Sequence, residues 1–247
     1  MDEKILTKIL EAGELKKSDE LVEVGAGLGV LTKQLSAKVR KVTALEIDRK
    51  IFPTLQKNLA DCKNVELHNL DIRHFYQSKK NFKLVANIPY YLTSPILRKF
   101  FIENYPPELT VLLVQKEVAE KICATKKLSV LALEVRIFGE PKIVAIVPPS
   151  SFLPPPKVES AILKISLKKN PLVPHADIVD FFKIVHAGFR APRKKIWGSF
   201  AAGFAGKKEV AQKILELAKI DLNLRPEDLQ IADWQKVLAA SREVVSG

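Results

Sequence analysis

Glu20-Leu21-Val22-Glu23-Val24-Gly25-Ala26-Gly27-Leu28-Gly29, running on into Val30-Leu31-Thr32-Lys33-Gln34-Leu35, reads as a short strand, a glycine turn and a helix. That order brings backbone close to a nucleotide-like ligand, because glycine lacks the Cβ that would obstruct contact. A dinucleotide fold would want G-x-G-x-x-G, whereas the glycines here fall as G-x-G-x-G with Glu23 two residues ahead of them. Upstream, residues 4–12 place Ile5, Leu6, Ile9 and Leu10 at helical spacing, and Gly13 stops the run.

Downstream, three further strand-like runs end in polar residues. Val42-Thr43-Ala44-Leu45-Glu46-Ile47-Asp48 puts Glu46 21 residues after Gly25, about where a Rossmann-like sheet sets a carboxylate to accept hydrogen bonds from two ribose hydroxyls. The plainer reading is a solvated strand-end acid. Residues 49–60 read as a helix, and Val65-Glu66-Leu67-His68-Asn69-Leu70-Asp71 as a strand whose Asp71 is placed to take the exocyclic amine of a bound adenine. Asp48 is expected to face away as a capping or surface residue. Phe82-Lys83-Leu84-Val85-Ala86 then runs into Asn87-Ile88-Pro89-Tyr90, which presents a side-chain amide, a backbone carbonyl and an aromatic face at one point, a set suited to a planar base bearing an amino group. A Pro-Tyr turn after a strand is commonplace by itself. Four strand ends, Gly25, Glu46, Asp71 and Asn87, nevertheless fall on one edge if the strands are parallel, and open parallel sheets bind ligands at that edge.

Beyond it, Thr110–Val114 reads as a strand, Lys116–Ala124 as a helix, and Leu128–Phe138 as strand-like in pattern; Ile143–Val147 and Val158–Leu167 complete the strands. Between the last two lies Pro148-Pro149-Ser150-Ser151-Phe152-Leu153-Pro154-Pro155-Pro156-Lys157, stiffened by five prolines. Phe152 there is either an exposed aromatic platform or a buried anchor. From about Asn170 the pattern turns helical, over Ile178–Ala187, Lys207–Ala218 and Asp233–Ser241. The expected division is residues 1–169 and 170–247. Arg190, Arg193, Lys194 and Lys195 put four positive charges in six residues with no acid among them, which suits phosphate contacts as well as a solvated face.

The 247 residues are 47% hydrophobic, enough for a full core, and 40 Lys and Arg against 28 Asp and Glu give a formal charge of +12, pointing to a polyanionic partner such as nucleic acid. No apolar stretch reaches the roughly 18 residues that span a bilayer, and no signal peptide opens the sequence, so a cytoplasmic protein without a membrane partner is expected. Cys62 and Cys123 are isolated and the four histidines scattered, so neither a metal site nor a catalytic triad is indicated.

Taken together these stretches resemble the ribosomal RNA adenine dimethyltransferases of the bacterial small-subunit type. The likeness runs through Val22–Thr32, Leu45–Asp48, Asn87–Ile96, Gln115–Ala119, Phe152–Ser160, Phe189–Lys195 and Arg225–Leu229, nearly the whole chain. The glycine turn is similar to the first motif of S-adenosylmethionine-dependent methyltransferases in general; the Phe152–Ser160 and Phe189–Lys195 stretches are far more diagnostic. The resemblance implies an α/β, Rossmann-like class I methyltransferase sheet with a smaller all-helical C-terminal domain that binds RNA. It implies S-adenosyl-L-methionine as cofactor, held by Glu23, Gly25, Gly27, Glu46, Ile47, Asp71, Ile72 and Asn87. Catalysis would fall to Asn87, Pro89, Tyr90 and Phe152, and RNA contact to Arg190, Arg193, Lys194 and Lys195. The implied partner is small-subunit rRNA in a pre-30S-type particle, met by a monomer. The family's Gln-His/Asn-Phe-Leu segment would fall before Met1, and Ala124–Leu128 is shorter than the usual proline-glycine-tyrosine loop. Two rival readings are a large-subunit rRNA methyltransferase that confers antibiotic resistance and a non-catalytic ribosome-assembly or transcription factor on the same fold.

Overall fold

The structure, a computed structural model, describes residues 2–77, 79–204 and 207–246. The chain forms two compact units, Met1–Cys123 with Phe138–Lys168, and Ala124–Ile137 with Lys169–Gly247.

The first unit is built on a seven-stranded sheet. Its strands are β1 (Glu20–Val24), β2 (Lys41–Leu45), β3 (Val65–His68), β4 (Lys83–Asn87), β5 (Leu109–Gln115), β6 (Gly139–Val147) and β7 (Ser160–Leu167), in the order β3-β2-β1-β4-β5-β7-β6. β1, β2, β3, β4 and β5 run parallel, while β7 is antiparallel to both β5 and β6. The direction of winding reverses between β1 and β4, so their carboxyl ends open a crevice where nothing crosses over.

Burial explains why these segments are strands. β1, β4 and β5 are buried along nearly their whole length, as befits central strands covered on both faces, and their Leu and Val runs supply that cover. The outermost β6 instead alternates half-buried and exposed positions between buried ends and tolerates Pro141, which an edge strand can carry. On one face, Ile5 and Ile9 of α1 (Glu3–Ala12), Leu31 and Leu35 of α2 (Val30–Ser36) and Leu55 of α3 (Phe52–Asn58) pack with Leu21, Val42, Val85, Val111 and Ile162 into one core. Just ahead of β4, Phe82 packs against Phe100, the ring centroids lying 5.8 Å apart.

The end of α1 is fixed by an unusual buried cation. Lys83 reaches from β4 to donate to the carbonyls of Gly13 (3.1 Å) and Glu14 (2.6 Å), and it pairs with Asp19 at 2.8 Å. A lysine placed there satisfies carbonyls left over where the helix stops.

The second unit holds α6 (Val130–Phe138, ending at its border), α7 (Ile178–Gly188), α8 (Ile196–Gly203), α9 (Lys208–Leu217) and α10 (Ile231–Ser246), while α4 (Thr93–Arg98) and α5 (Lys116–Cys123) belong to the first. Trp234 of α10 is fully buried against Gly188, where a Cβ would stand 2.2 Å from the indole ring.

Two expectations need correction. Leu128–Phe138 reads as strand-like, yet Val130–Phe138 is helical. Ala132, Leu133, Glu134, Val135, Ile137 and Phe138 are all buried, so apolar residues on several faces hide the helical period, and the one clear start signal is Ser129, whose hydroxyl accepts the Ala132 N–H at 3.2 Å. A single cut at 169/170 also misses that 124–137 group with the second unit. Leu128 N donates to the Glu227 carbonyl at 2.7 Å, Lys127 pairs with Glu227, and Gln230 donates to the Lys126 carbonyl, partners about a hundred residues away in sequence.

Replacing Lys83 by Met keeps the aliphatic stem but leaves Asp19 and two carbonyls without their cation. Denaturant unfolding is expected to show a loss of about 2–4 kcal/mol.

Candidate active site

At the carboxyl edge of the parallel strands lies a cleft of about 780 Å³, within the roughly 300–1,000 Å³ of small-ligand sites. Gly25, Gly27, Glu46, Ile47, Asp71, Ile72, Asn87 and Pro89 all line it. Eight residues that sequence reasoning singles out, drawn from four strand ends, are thus brought to one place.

The glycine turn is shaped by both conformation and contact. Gly25, Gly27 and Gly29 all have positive φ, at 75°, 58° and 85°. At Gly27 a Cβ would meet nothing within 4 Å, so a side chain there would project into open cleft rather than into protein. Gly25 and Ala26 both donate their N–H to the Leu45 carbonyl, at 2.8 and 3.1 Å, which pins the turn to the end of β2. One residue on, Glu46 accepts the Gly27 N–H through Oε2 and the Asp48 N–H through Oε1, both at 2.8 Å. A carboxylate has about four acceptor positions, so two remain for a ligand's hydroxyls. Asp48 is exposed and caps the next turn through the Lys50 N–H, but it also lines the cleft, so the expectation that it faces away does not hold.

Asp71 is more committed than its position alone implies. Its Oδ1 accepts the Arg73 N–H at 2.9 Å and its Oδ2 accepts Arg73 Nε at 2.9 Å and Nη2 at 2.5 Å, which holds the carboxyl below the usual range. Three of its acceptor positions are filled from within the chain. Arg73, itself at the cleft wall, was missed, because the Asp-x-Arg spacing permits this grip but does not fix the side-chain conformation that makes it.

Glu23 is buried within β1 and is not on the cleft wall. It is 1% exposed, and burial pushes its carboxyl from near 4.5 up to about 8, with Thr32 opposing the rise and Glu46 adding to it. Its Oε2 has no hydrogen-bond partner. An orphaned buried carboxyl oxygen, an open cradle at Gly27 and acids at the ends of β2 and β3 fit a nucleoside ligand that carries cationic groups.

The Asn87 turn is only partly as expected. Asn87 ends β4 beside Leu113 of β5, and its carbonyl faces Gly25. The Pro89 carbonyl accepts the Leu92 N–H at 2.9 Å, leaving its second lone pair open. Tyr91, 77% exposed, lines the cleft; Tyr90 and Phe152 do not. Tyr90 is half-buried with its phenol 2.7 Å from the Ser160 hydroxyl, and Phe152 is half-buried against the core, closer to the anchor reading than to a free platform.

Arg190, Arg193, Lys194 and Lys195 are exposed on the connection between α7 and α8. Buried Ser199 accepts the Ala191 N–H at 2.8 Å and donates to the Gly188 carbonyl, so the connection is held from inside, and Lys195 donates to Asn223 at 2.8 Å.

A parallel sheet wound 3-2-1-4-5, a positive-φ glycine turn and acidic strand ends around one cleft define a class I methyltransferase fold. A family model described as ribosomal RNA adenine dimethylase matches residues 1–241, and the chain belongs to that family. The ribosomal RNA small subunit methyltransferase A of Dehalococcoides mccartyi is 39% identical over 239 residues, covering 94% of this chain and 82% of that one. Among solved structures, a dimethyladenosine transferase from Plasmodium falciparum superposes with a TM-score of 0.79 at 26% identity, covering 98% and 96% of the two chains. The 23S rRNA methyltransferase ErmE gives 0.73 at 25% identity over 98% of both.

Because Glu23 keeps its proton in the folded state while the unfolded chain loses it near 4.5, stability falls as pH rises from about 4.5 to about 8 and this contribution levels off above. Glu23→Gln is therefore expected to match the wild type at pH 4.5 and to exceed it increasingly towards pH 8, by at most about 1.4 kcal/mol per pH unit. Thermal unfolding midpoints across that range check it.

Proposed function

We propose that this protein transfers methyl groups from S-adenosylmethionine to N6 of two adjacent adenines near the 3′ end of small-subunit rRNA, giving N6,N6-dimethyladenosine. It acts as a monomer on a pre-30S-type particle. The observation that carries the reading is the stretch Asn87-Ile88-Pro89 at the end of β4, which lines the same cleft as Gly25, Glu46 and Asp71.

Gly25, Gly27, Glu46, Ile47, Asp71, Ile72 and Asn87 would hold the cofactor, while the buried Glu23, off the cleft wall, would act only through the turn it precedes. Glu46 has acceptor positions for ribose, Ile47 and Ile72 offer apolar walls to an adenine, and Asp71 keeps one acceptor position for its amine. Bound there, the sulfonium supplies an electrophilic methyl group and a neutral thioether leaving group. The target N6 is a poor nucleophile because its lone pair is delocalised into the ring. Asn87 Oδ1 and the Pro89 carbonyl, accepting the two N6 hydrogens, would pyramidalise the amine and aim that pair at the methyl carbon. The product ammonium would lose its proton to water, so none of the residues at the cleft is required to act as a strong general base. Positioning supplies most of the rate, an effect reaching roughly 7–11 kcal/mol when geometry is ideal. Tyr90 and Phe152 would flank the flipped base, each aromatic contact being worth about 1–3 kcal/mol.

The exposed Arg190, Arg193, Lys194 and Lys195 support an RNA partner, as does the net charge of +12. The small-subunit relative is 39% identical against 25% for the large-subunit enzyme, which favours the former substrate. For the described residues, no helix is long and apolar enough to cross a membrane.

Asn87→Ala is expected to abolish transfer of labelled methyl groups into small subunits lacking the modification while the cofactor still binds; wild-type methylation by that variant would overturn the assignment. Changing Arg190, Arg193, Lys194 and Lys195 together to Ala is expected to weaken subunit binding and flatten the slope of log affinity against log salt, by roughly 0.7–0.9 for each phosphate that these side chains neutralise in the wild type. An unchanged slope would remove these residues from the interface.

A further inference from the structure

Tyr90 is held at both ends. Its carbonyl accepts the buried Thr93 hydroxyl at 3.0 Å, and its phenol shares a 2.7 Å hydrogen bond with Ser160 Oγ across 70 residues of sequence. Ser160 is fully buried and opens β7, where it stands in register with Gln115 of β5 on one side and Val147 of β6 on the other. The residue before it is fixed as well: the Glu159 carbonyl accepts the Lys116 N–H at 3.0 Å, and Lys116 Nζ donates to the Glu159 carboxylate at 2.8 Å. A hydroxyl placed between two paired strands has little freedom, and a ring tethered to it inherits that rigidity.

We propose that Ser160 is a positioning residue for methyl transfer, tethering the Tyr90 phenol so that the ring presents one fixed face to the flipped target adenine. The inference rests on the function proposed above. Without the tether the base still meets an aromatic ring, but one free to turn, and part of the orientation that drives the reaction is lost. The cleft that would take the cofactor contains neither residue, so cofactor affinity is not involved.

The test is a double-mutant cycle on single-turnover methyl transfer to undermethylated small subunits, using wild type, Ser160→Ala, Tyr90→Phe and the double variant. Tyr90→Phe removes the same bond while keeping the ring. Each single variant is expected to slow transfer roughly 3- to 10-fold, the range of one net hydrogen bond, with unchanged cofactor Kd. The double variant should be no slower than the slower single one. A wild-type rate in Ser160→Ala, losses that multiply in the double variant, or a matching loss of cofactor binding would each overturn the positioning role. Unfolding midpoints of the four proteins separate structure from catalysis: coupling seen in stability but absent from transfer also overturns it. A wild type that transfers no methyl group to adenine would instead overturn the proposed function, and this inference with it.

Discussion

The hydrogen bond from the Gly27 N–H to Glu46 Oε2 joins two neighbouring strand ends across 19 residues of sequence, and the geometry of the cleft depends on it. β1 alone would end in three glycines with positive φ, a turn with many alternatives and a large entropic cost to order. The Leu45 carbonyl, accepting from both Gly25 and Ala26, and the Glu46 carboxylate, accepting from Gly27, choose one of those alternatives. β3 then supports the same residue from the other side, since the Glu46 N–H donates to the His68 carbonyl and the Leu70 N–H returns to the Glu46 carbonyl. A residue that is read first as a ligand contact is equally the clasp of the site itself, and its preorganisation is what allows two unused lone pairs to face a ligand without further rearrangement.

The parallel sheet and its ligand-binding edge were legible in the sequence because both follow from local rules. Period-two or continuous apolar runs mark the strands, and the last residue of each run falls at the edge by construction, so Gly25, Glu46, Asp71 and Asn87 had to converge once the strands proved parallel. What sequence did not reveal are partners set by rotamers and by long closures. The grip of Arg73 on Asp71 needs a side-chain conformation, and the Tyr90 phenol meets Ser160 only after β7 has inserted antiparallel beside β5. Tyr90 and Tyr91 are adjacent in the chain, yet the short 3₁₀ turn from Tyr90 to Leu92 sends them to different neighbours, one to Ser160 and the other to the cleft. The helix at Val130–Phe138 escaped detection for a third reason, since burial on several faces erases the amphipathic period on which pattern reading relies.

Charge has to be read at two scales in this molecule. Overall the chain is strongly basic, at +12, and the exposed connection between α7 and α8 concentrates that charge where it meets solvent. The cleft inverts the sign: Glu46, Asp48 and Asp71 line it, and Arg73 is the cation that offsets them. A cluster of acids against a basic background is costly unless something compensates, and the compensation differs by residue. Asp71 is paired with a guanidinium, Glu46 is bonded to backbone N–H groups, Asp48 is exposed, and Glu23, denied all three, retains its proton well above the ordinary range. The arrangement makes sense if the cleft receives a cationic ligand while the outer surface receives a polyanion. The net charge therefore speaks for the macromolecular partner alone, and the small-molecule partner is written in the three carboxylates of the cleft wall that run against it.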